Sequence, residues 1–174
     1  LRRRGRLRAP RGSGRRRRCS ARKAGLIATE PADRPQSRRC VPQVRVQRRG
    51  EGEPLQHLLG TVEFCGDTFL CDNRALVPRP ETEQLVELVE SRIENPKSKI
   101  VDVGTGSGVI ALSLAKKFPE AQIFAVDVSE DALALTRENA IRFGLSGRVQ
   151  LRKSNLLENL NERFDLIVAN LPYI

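Results

Sequence analysis

Methionine and tryptophan are absent from this 174-residue chain, which holds one histidine (His57), one tyrosine (Tyr173) and four cysteines (Cys19, Cys40, Cys65, Cys71). One imidazole and four thiols without a Cys-x-x-Cys pair give too few ligands at the wrong spacing for a zinc centre, so no metal site is expected. The same cysteine usage fits a reducing compartment. No apolar run approaches the roughly 18 residues of a membrane span, and no signal-peptide apolar stretch follows the basic head. The expectation is a soluble chain with no membrane partner. Acidic residues are nearly missing from the first 50 positions, where Glu30 and Asp33 face 18 Lys and Arg, a net of +16. Residues 51–174 carry 13 basic and 19 acidic residues, a net of −6, so the overall +10 belongs to the head alone.

That head, LRRRGRLRAPRGSGRRRRCSARKAG, is Arg, Gly, Ser and Pro with almost no large apolar side chain, and it cannot bury enough surface to offset the entropy of ordering. Residues 1–50 are expected to form a disordered Arg-rich tail. Three roles remain open for it. It is a passive segment or a boundary of an incomplete chain, since the sequence opens on Leu1. It is a targeting peptide for a mitochondrion or plastid, although Gly5, Pro10, Gly12 and Gly14 break the amphipathic helix such a peptide needs. Or it is an electrostatic arm that contacts RNA or the ribosome through its arginines.

Beyond the tail the pattern alternates. PETEQLVELVESRIENP reads as a helix with Pro80 at its start and Leu85, Val86, Leu88 and Val89 as its apolar stripe. KIVDV (Lys99 to Val103) is a β-branched run that ends in glycines, and SGVIALSLAKKF then repeats apolar residues at helical spacing. QIFAVDV is a second strand. Ser129 caps the helix after it, Glu130 and Asp131 complement its dipole, and it stops near Gly144. RVQLRKS and FDLIVAN are the third and fourth strands. Strands without polar alternation, separated by helices, predict a parallel sheet covered on both faces.

The glycines of VDVGTGSGVI are Gly104, Gly106 and Gly108. A dinucleotide fingerprint wants Gly-x-Gly-x-x-Gly, and Val109 stands where its third glycine belongs, which argues against NAD. The loop is similar instead to the acid-x-Gly-x-Gly-x-Gly loop of S-adenosylmethionine (AdoMet) methyltransferases, with Asp102 as the acid. The resemblance implies that Gly104, Thr105, Gly106, Ser107 and Gly108 pack against the methionine and ribose portions, and that Asp102 helps hold the amino-acid end. Asp127, closing the second strand, offers two acceptor oxygens to the ribose hydroxyls. A glycine turn and two strand-end aspartates are also ordinary turn chemistry, which is the competing reading.

The fourth strand ends in Asn170, Leu171, Pro172 and Tyr173. This tetrapeptide resembles the Asn-Pro-Pro-Tyr of methyltransferases that modify a planar nitrogen, either a glutamine amide or the exocyclic amine of adenine. A flat NH2 group needs two acceptors and a ring to stack on, which the Asn170 side-chain oxygen, the Leu171 carbonyl and the Tyr173 ring supply. Upstream, GEPLQHLLGTVEFCGDTFLCDNRALVPRPETEQLVE (Gly52 to Glu87) resembles the segment leading into the catalytic domain of release factor glutamine methyltransferases, the HemK/PrmC family. The matching features are Pro54, His57-Leu58-Leu59-Gly60, Phe64, Gly66, Phe69 and Val77-Pro78-Arg79-Pro80-Glu81-Thr82-Glu83.

The resemblance implies a Rossmann-like class I AdoMet-dependent α/β core, partial and reduced to its first four strands. Residues 51–80 are expected to be a linker or hairpin and residues 81–174 the partial AdoMet-binding domain. It also implies methyl transfer to the glutamine of a Gly-Gly-Gln motif in a release factor, by a cytoplasmic monomer. Asn155, Leu156 and Asn170 join the cofactor residues on the same ground. The alternatives are an adenine N6-methyltransferase on RNA or DNA, and an inactive fragment. Two local departures stand out: Leu171 replaces the first proline of the tetrapeptide, and Ser154-Asn155-Leu156 stands where the family has an acid near the adenine amine. The family also extends before residue 51 and after residue 174, so a truncated chain with an open fourth strand and marginal stability is expected.

Overall fold

The computed structural model describes residues 46–171 apart from residue 159; Pro172, Tyr173 and the expected disorder of residues 1–45 lie outside the described residues. Residues 46–50, counted with the tail on composition, are helical. Their order has a local cause, because the Arg48 guanidinium pairs with the Glu53 carboxylate and Arg49 Nη1 donates to the Glu53 carbonyl at 3.0 Å.

A short helix α1 (Leu55–Leu59) ends on Gly60 and leads into an antiparallel hairpin of β1 (Thr61–Phe64) and β2 (Asp67–Leu70). Then follow α2 (Glu81–Arg92), β3 (Lys99–Val103), α3 (Val109–Lys117), β4 (Gln122–Asp127), α4 (Glu130–Arg142), β5 (Val149–Lys153) and β6 (Leu166–Ala169). The four last strands form one parallel sheet in the order β5-β4-β3-β6. The chain starts in the middle at β3, builds outward through β4 and β5, and returns to the other side of β3 with β6. That reversal opens a crevice at the carboxyl ends of β3 and β6, where parallel α/β sheets take their ligands.

The two faces of the sheet are covered unequally. Ile100, Ile123, Ala125, Val149 and Val168 pack against α3, whose residues Val109 to Ala115 are buried all round. The hairpin supports the same face: Phe64 and Phe69 meet edge to face at 6.1 Å between ring centres, and Phe69 meets Phe143 at 4.7 Å. The hairpin is therefore part of the core. On the opposite face, Val101, Val103, Phe124 and Val126 are covered by Leu157, Leu160 and Phe164 from the segment after β5, with no helix over them among the described residues. Helix α2 buries Thr82, Val86 and Val89, one turn apart, so Leu88 of the expected stripe points to solvent, 53% exposed. At the sheet's edge among the described residues, β6 leaves Ile167 half exposed. No helix among the described residues is long and apolar enough to cross a membrane.

Candidate functional site

Every strand end in the sheet delivers a polar group to the crevice. Register pairs Val103 with Ala169, so Gly104 and Asn170 emerge side by side after β3 and β6. Asp127 ends β4, and Ser154 to Leu156 follow β5. These residues line a cavity of about 620 Å³, within the range of small-molecule sites, with residues 74–79, Thr82 and the first turns of α3 and α4 completing its wall. Of the residues expected from sequence, Gly104, Thr105, Gly106, Ser107, Asp127, Asn155, Leu156, Asn170 and Leu171 are on the cavity wall. Asp102 and Gly108 sit beneath the loop instead, and Pro172 and Tyr173 lie outside the described residues.

The glycine loop spends its amides on the protein itself. Gly104 N and Thr105 N donate to the Val126 carbonyl at 2.9 and 3.0 Å, Gly106 N to Asp127 Oδ2 at 3.0 Å, and Gly108 N to the Thr105 carbonyl at 2.9 Å. A pyrophosphate cradle needs such N–H groups free to point at the anion. This loop presents its backbone as a closed surface, which suits an uncharged nucleoside face rather than a diphosphate. Its carbonyls are held from below: Thr136 Oγ1 donates to Gly106 O at 2.8 Å and Asn139 Nδ2 to Ser107 O at 2.9 Å.

Asp127 stands at the rim with both carboxylate oxygens partly used, Oδ2 by Gly106 N and Oδ1 by Ser129 N at 2.9 Å. Those two bonds fix the carboxylate plane, and each oxygen keeps a lone pair for a ligand hydroxyl. Asn155 Nδ2 donates to Glu158 Oε1 at 2.8 Å, which leaves its amide oxygen as the acceptor. Val128 and Leu156, both more than half exposed, supply apolar surface beside these acceptors. A diol acceptor next to an apolar slot is the donor and acceptor pattern a nucleoside fits.

Asp102 was expected at the ligand's amino-acid end, but it is 1% exposed and its Oδ2 accepts from Thr105 Oγ1 at 2.7 Å and from Ala111 N at 3.3 Å. Burial pushes its carboxyl up to about 6 from an ordinary 3.8, against the pull of those two donors. Its place is under the loop, tying β3 to the start of α3. Leu171 contributes its side chain as well as its backbone. Its side chain lies over the loop, so close that a Cβ on Gly104 would stand 2.6 Å from Leu171 Cδ2.

Four residues around the site were given no role from the sequence. Arg74 on the cavity wall is gripped by two carboxylates, Asp72 at 2.8 Å and Glu138 at 2.7 Å, and both acids are held below their ordinary range by its guanidinium. That clamp fixes the 74–79 wall to α4. Thr136 and Asn139, both 0% exposed, occupy the buried stripe of α4. A threonine and an asparagine at positions where the periodicity calls for apolar side chains were the available signal. Thr82 on α2 accepts from Asn170 Nδ2 at 2.9 Å.

Comparison with known proteins agrees with this geometry. The family model described as "Methyltransferase small domain" matches residues 80–174. A "Release factor glutamine methyltransferase" of Geobacter sulfurreducens is 47% identical over 130 residues, covering 74% of this chain and 45% of that protein. The protein of the same name from Streptococcus pneumoniae is 42% identical over 128 residues, again covering 74% and 45%. The chain thus spans about half the length of the curated relatives it matches. Among solved structures, the Pyrococcus abyssi tRNA (uracil-54, C5)-methyltransferase in complex with S-adenosyl-L-homocysteine superposes with a TM-score of 0.53 at 20% identity, over 64% of this chain and 28% of that one, a likeness of fold alone. A parallel sheet in the order β5-β4-β3-β6, a glycine loop at its switch point and a family match over more than half its length make this chain a member of the methyltransferase small domain family.

Proposed function

We propose that the protein of which this chain is part transfers a methyl group from AdoMet to the side-chain amide nitrogen of a glutamine in a release factor, the glutamine of its Gly-Gly-Gln motif. The observation that carries the reading is the pair of acceptors at the carboxyl end of β6, the Asn170 amide oxygen and the Leu171 carbonyl, beside a cavity whose wall fits a nucleoside. The relatives' names and the His57-to-Glu83 resemblance supply the substrate. When bound, AdoMet supplies an electrophilic sulfonium methyl. Asp127 accepts the ribose hydroxyls, Asn155 the adenine amine, and the apolar Val128 and Leu156 flank the base. Asn170 and Leu171 accept the two N–H bonds of the glutamine amide, which turns its nitrogen toward the cavity, and Tyr173 stacks on the amide plane. Such a displacement needs positioning more than a strong base, because the methylated nitrogen sheds its extra proton readily. A substrate that is a translation factor puts the activity where translation occurs: in the cytoplasm, or in a mitochondrion or plastid on the targeting reading of the basic head.

The test is transfer of label from methyl-tritiated AdoMet with three acceptors offered separately: a release factor, the same factor with the motif glutamine changed to alanine, and an adenine-containing RNA or DNA. Label in the first alone supports the reading. Label in the nucleic acid, with none in the release factor, makes the protein an adenine methyltransferase instead.

A further inference from the structure

The Pro78-to-Glu83 stretch is the most distinctive motif upstream of the sheet, and the chemistry above leaves Thr82 without a role. Thr82 is a polar side chain at 5% exposure in the first turn of α2, where its backbone N–H already donates to the Arg79 carbonyl at 3.0 Å. Its hydroxyl oxygen faces the end of β6 and accepts from Asn170 Nδ2 at 2.9 Å, across 88 residues of sequence. Asn170 itself is exposed. The terminal torsion of an exposed asparagine is broad and nearly two-fold, so without a partner it offers its NH2 about as readily as its oxygen to the crevice. Only the oxygen can receive the N–H of an incoming amide; the NH2 would set donor against donor.

We infer that Thr82 is a positioning residue: in the bond observed its hydroxyl accepts the Asn170 NH2, and that orientation of the carboxamide turns the Asn170 oxygen to the substrate amide. The inference rests on the proposed amide transfer. Thr82 also lines the cavity, but in this role its hydroxyl is spent on Asn170, so its loss acts on the transfer step more than on cofactor affinity. Glu83, the next residue of the motif, accepts from Cys65 N at 3.0 Å and so anchors the start of α2 on the hairpin, holding Thr82 at its station.

The experiment compares the parent protein with Thr82→Val, which keeps the shape and loses the hydroxyl, and Thr82→Ser, which restores it. Three quantities are read: kcat on a release factor, AdoMet affinity, and the Asn170 side-chain NH2 resonances in a 1H–15N spectrum, assigned by their loss in Asn170→Ala. Thr82→Val is expected to lower kcat about five- to tenfold, the worth of one net hydrogen bond. AdoMet affinity should stay within about twofold, the Asn170 NH2 signals should shift, and Thr82→Ser should recover both kcat and shift. Thr82→Val with the parent's kcat and unmoved Asn170 signals overturns the role, as does a loss of kcat matched by an equal loss of AdoMet affinity. A parent that methylates no release factor overturns the proposed function and the role with it, whereas an active parent with an equally active Thr82→Val overturns the role alone.

Discussion

Gly108→Ala should be among the most damaging single-methyl changes in the chain, and the structure says why. Gly108 has φ +83°, a left-handed conformation that costs a residue with a Cβ about 1–2 kcal/mol. The new Cβ would stand 2.6 Å from Thr136 Cγ2, 3.1 Å from Thr136 Oγ1 and 3.2 Å from Leu112 Cδ1, in a region where both neighbours are 0% exposed and cannot swing away. Overpacking of that kind costs about 1–3 kcal/mol. Displacing Thr136 also stretches its bond to the Gly106 carbonyl, about 1 kcal/mol more. The sum is about 3–6 kcal/mol, a large part of the 5–15 kcal/mol typical of a domain. Gly147→Ala is the control: φ there is +80°, nearly the same, but no atom lies within 4 Å, so only the backbone cost of about 1–2 kcal/mol applies. Urea unfolding at unchanged m-value measures both. In the Gly108→Ala background, Thr136→Ser removes the offending methyl and should return about 1 kcal/mol or more. Equal losses at Gly108 and Gly147, or no recovery with Thr136→Ser, would refute the steric argument.

Asn139→Leu should destabilise the chain by about 3 kcal/mol or more in the same unfolding assay, because it orphans Leu70 N, Leu70 O and Ser107 O together. Stability should fall as pH rises from about 4 to about 6: the buried Asp102 carboxyl titrates near 6 in the fold and near 3.8 when unfolded, so the folded state holds the extra proton in that window. The drop is of the order of 3 kcal/mol, and Asp102→Asn should flatten it in stability measured across that pH range. Gly104→Ala should weaken AdoMet binding more than tenfold in a fluorescence titration while costing only about 1–2 kcal/mol of stability, since the flexible end of Leu171 can yield to the new methyl.

Much of the sheet was legible because its signal is local. The β-branched run ending in glycines is β3 from Lys99 to Val103, and Ser129 accepts from Ala132 N as a cap residue should. The ligand-facing strand ends followed from that, since loop composition marks where each strand stops. What the sequence concealed are partnerships over long separations. Nothing near Thr82 points to Asn170, and nothing near Leu70 points to Asn139, yet Asn139 matches Leu70 N and O with one carboxamide as a neighbouring strand would. Leu88 is equivalent to Val89 on periodicity, but the buried face of α2 runs through Thr82, Val86 and Val89 and leaves Leu88 in solvent. At Leu171 the backbone carbonyl drew attention in the sequence, while the side chain proved to lie over Gly104. Glycine there leaves the space that the leucine fills.

The most direct measurement is a calorimetric titration of the chain and its Asp127→Ala variant with AdoMet and, separately, with NAD. The amides of Gly104, Thr105, Gly106 and Gly108 are already committed and Asp127 holds two acceptor oxygens at the rim. One AdoMet should therefore bind per chain, NAD should not, and Asp127→Ala should weaken AdoMet more than tenfold, given about 1.5–3 kcal/mol for each lost bond to a charged acceptor. Binding of NAD, or an Asp127→Ala variant that takes AdoMet as tightly as the parent, would contradict the account of the site.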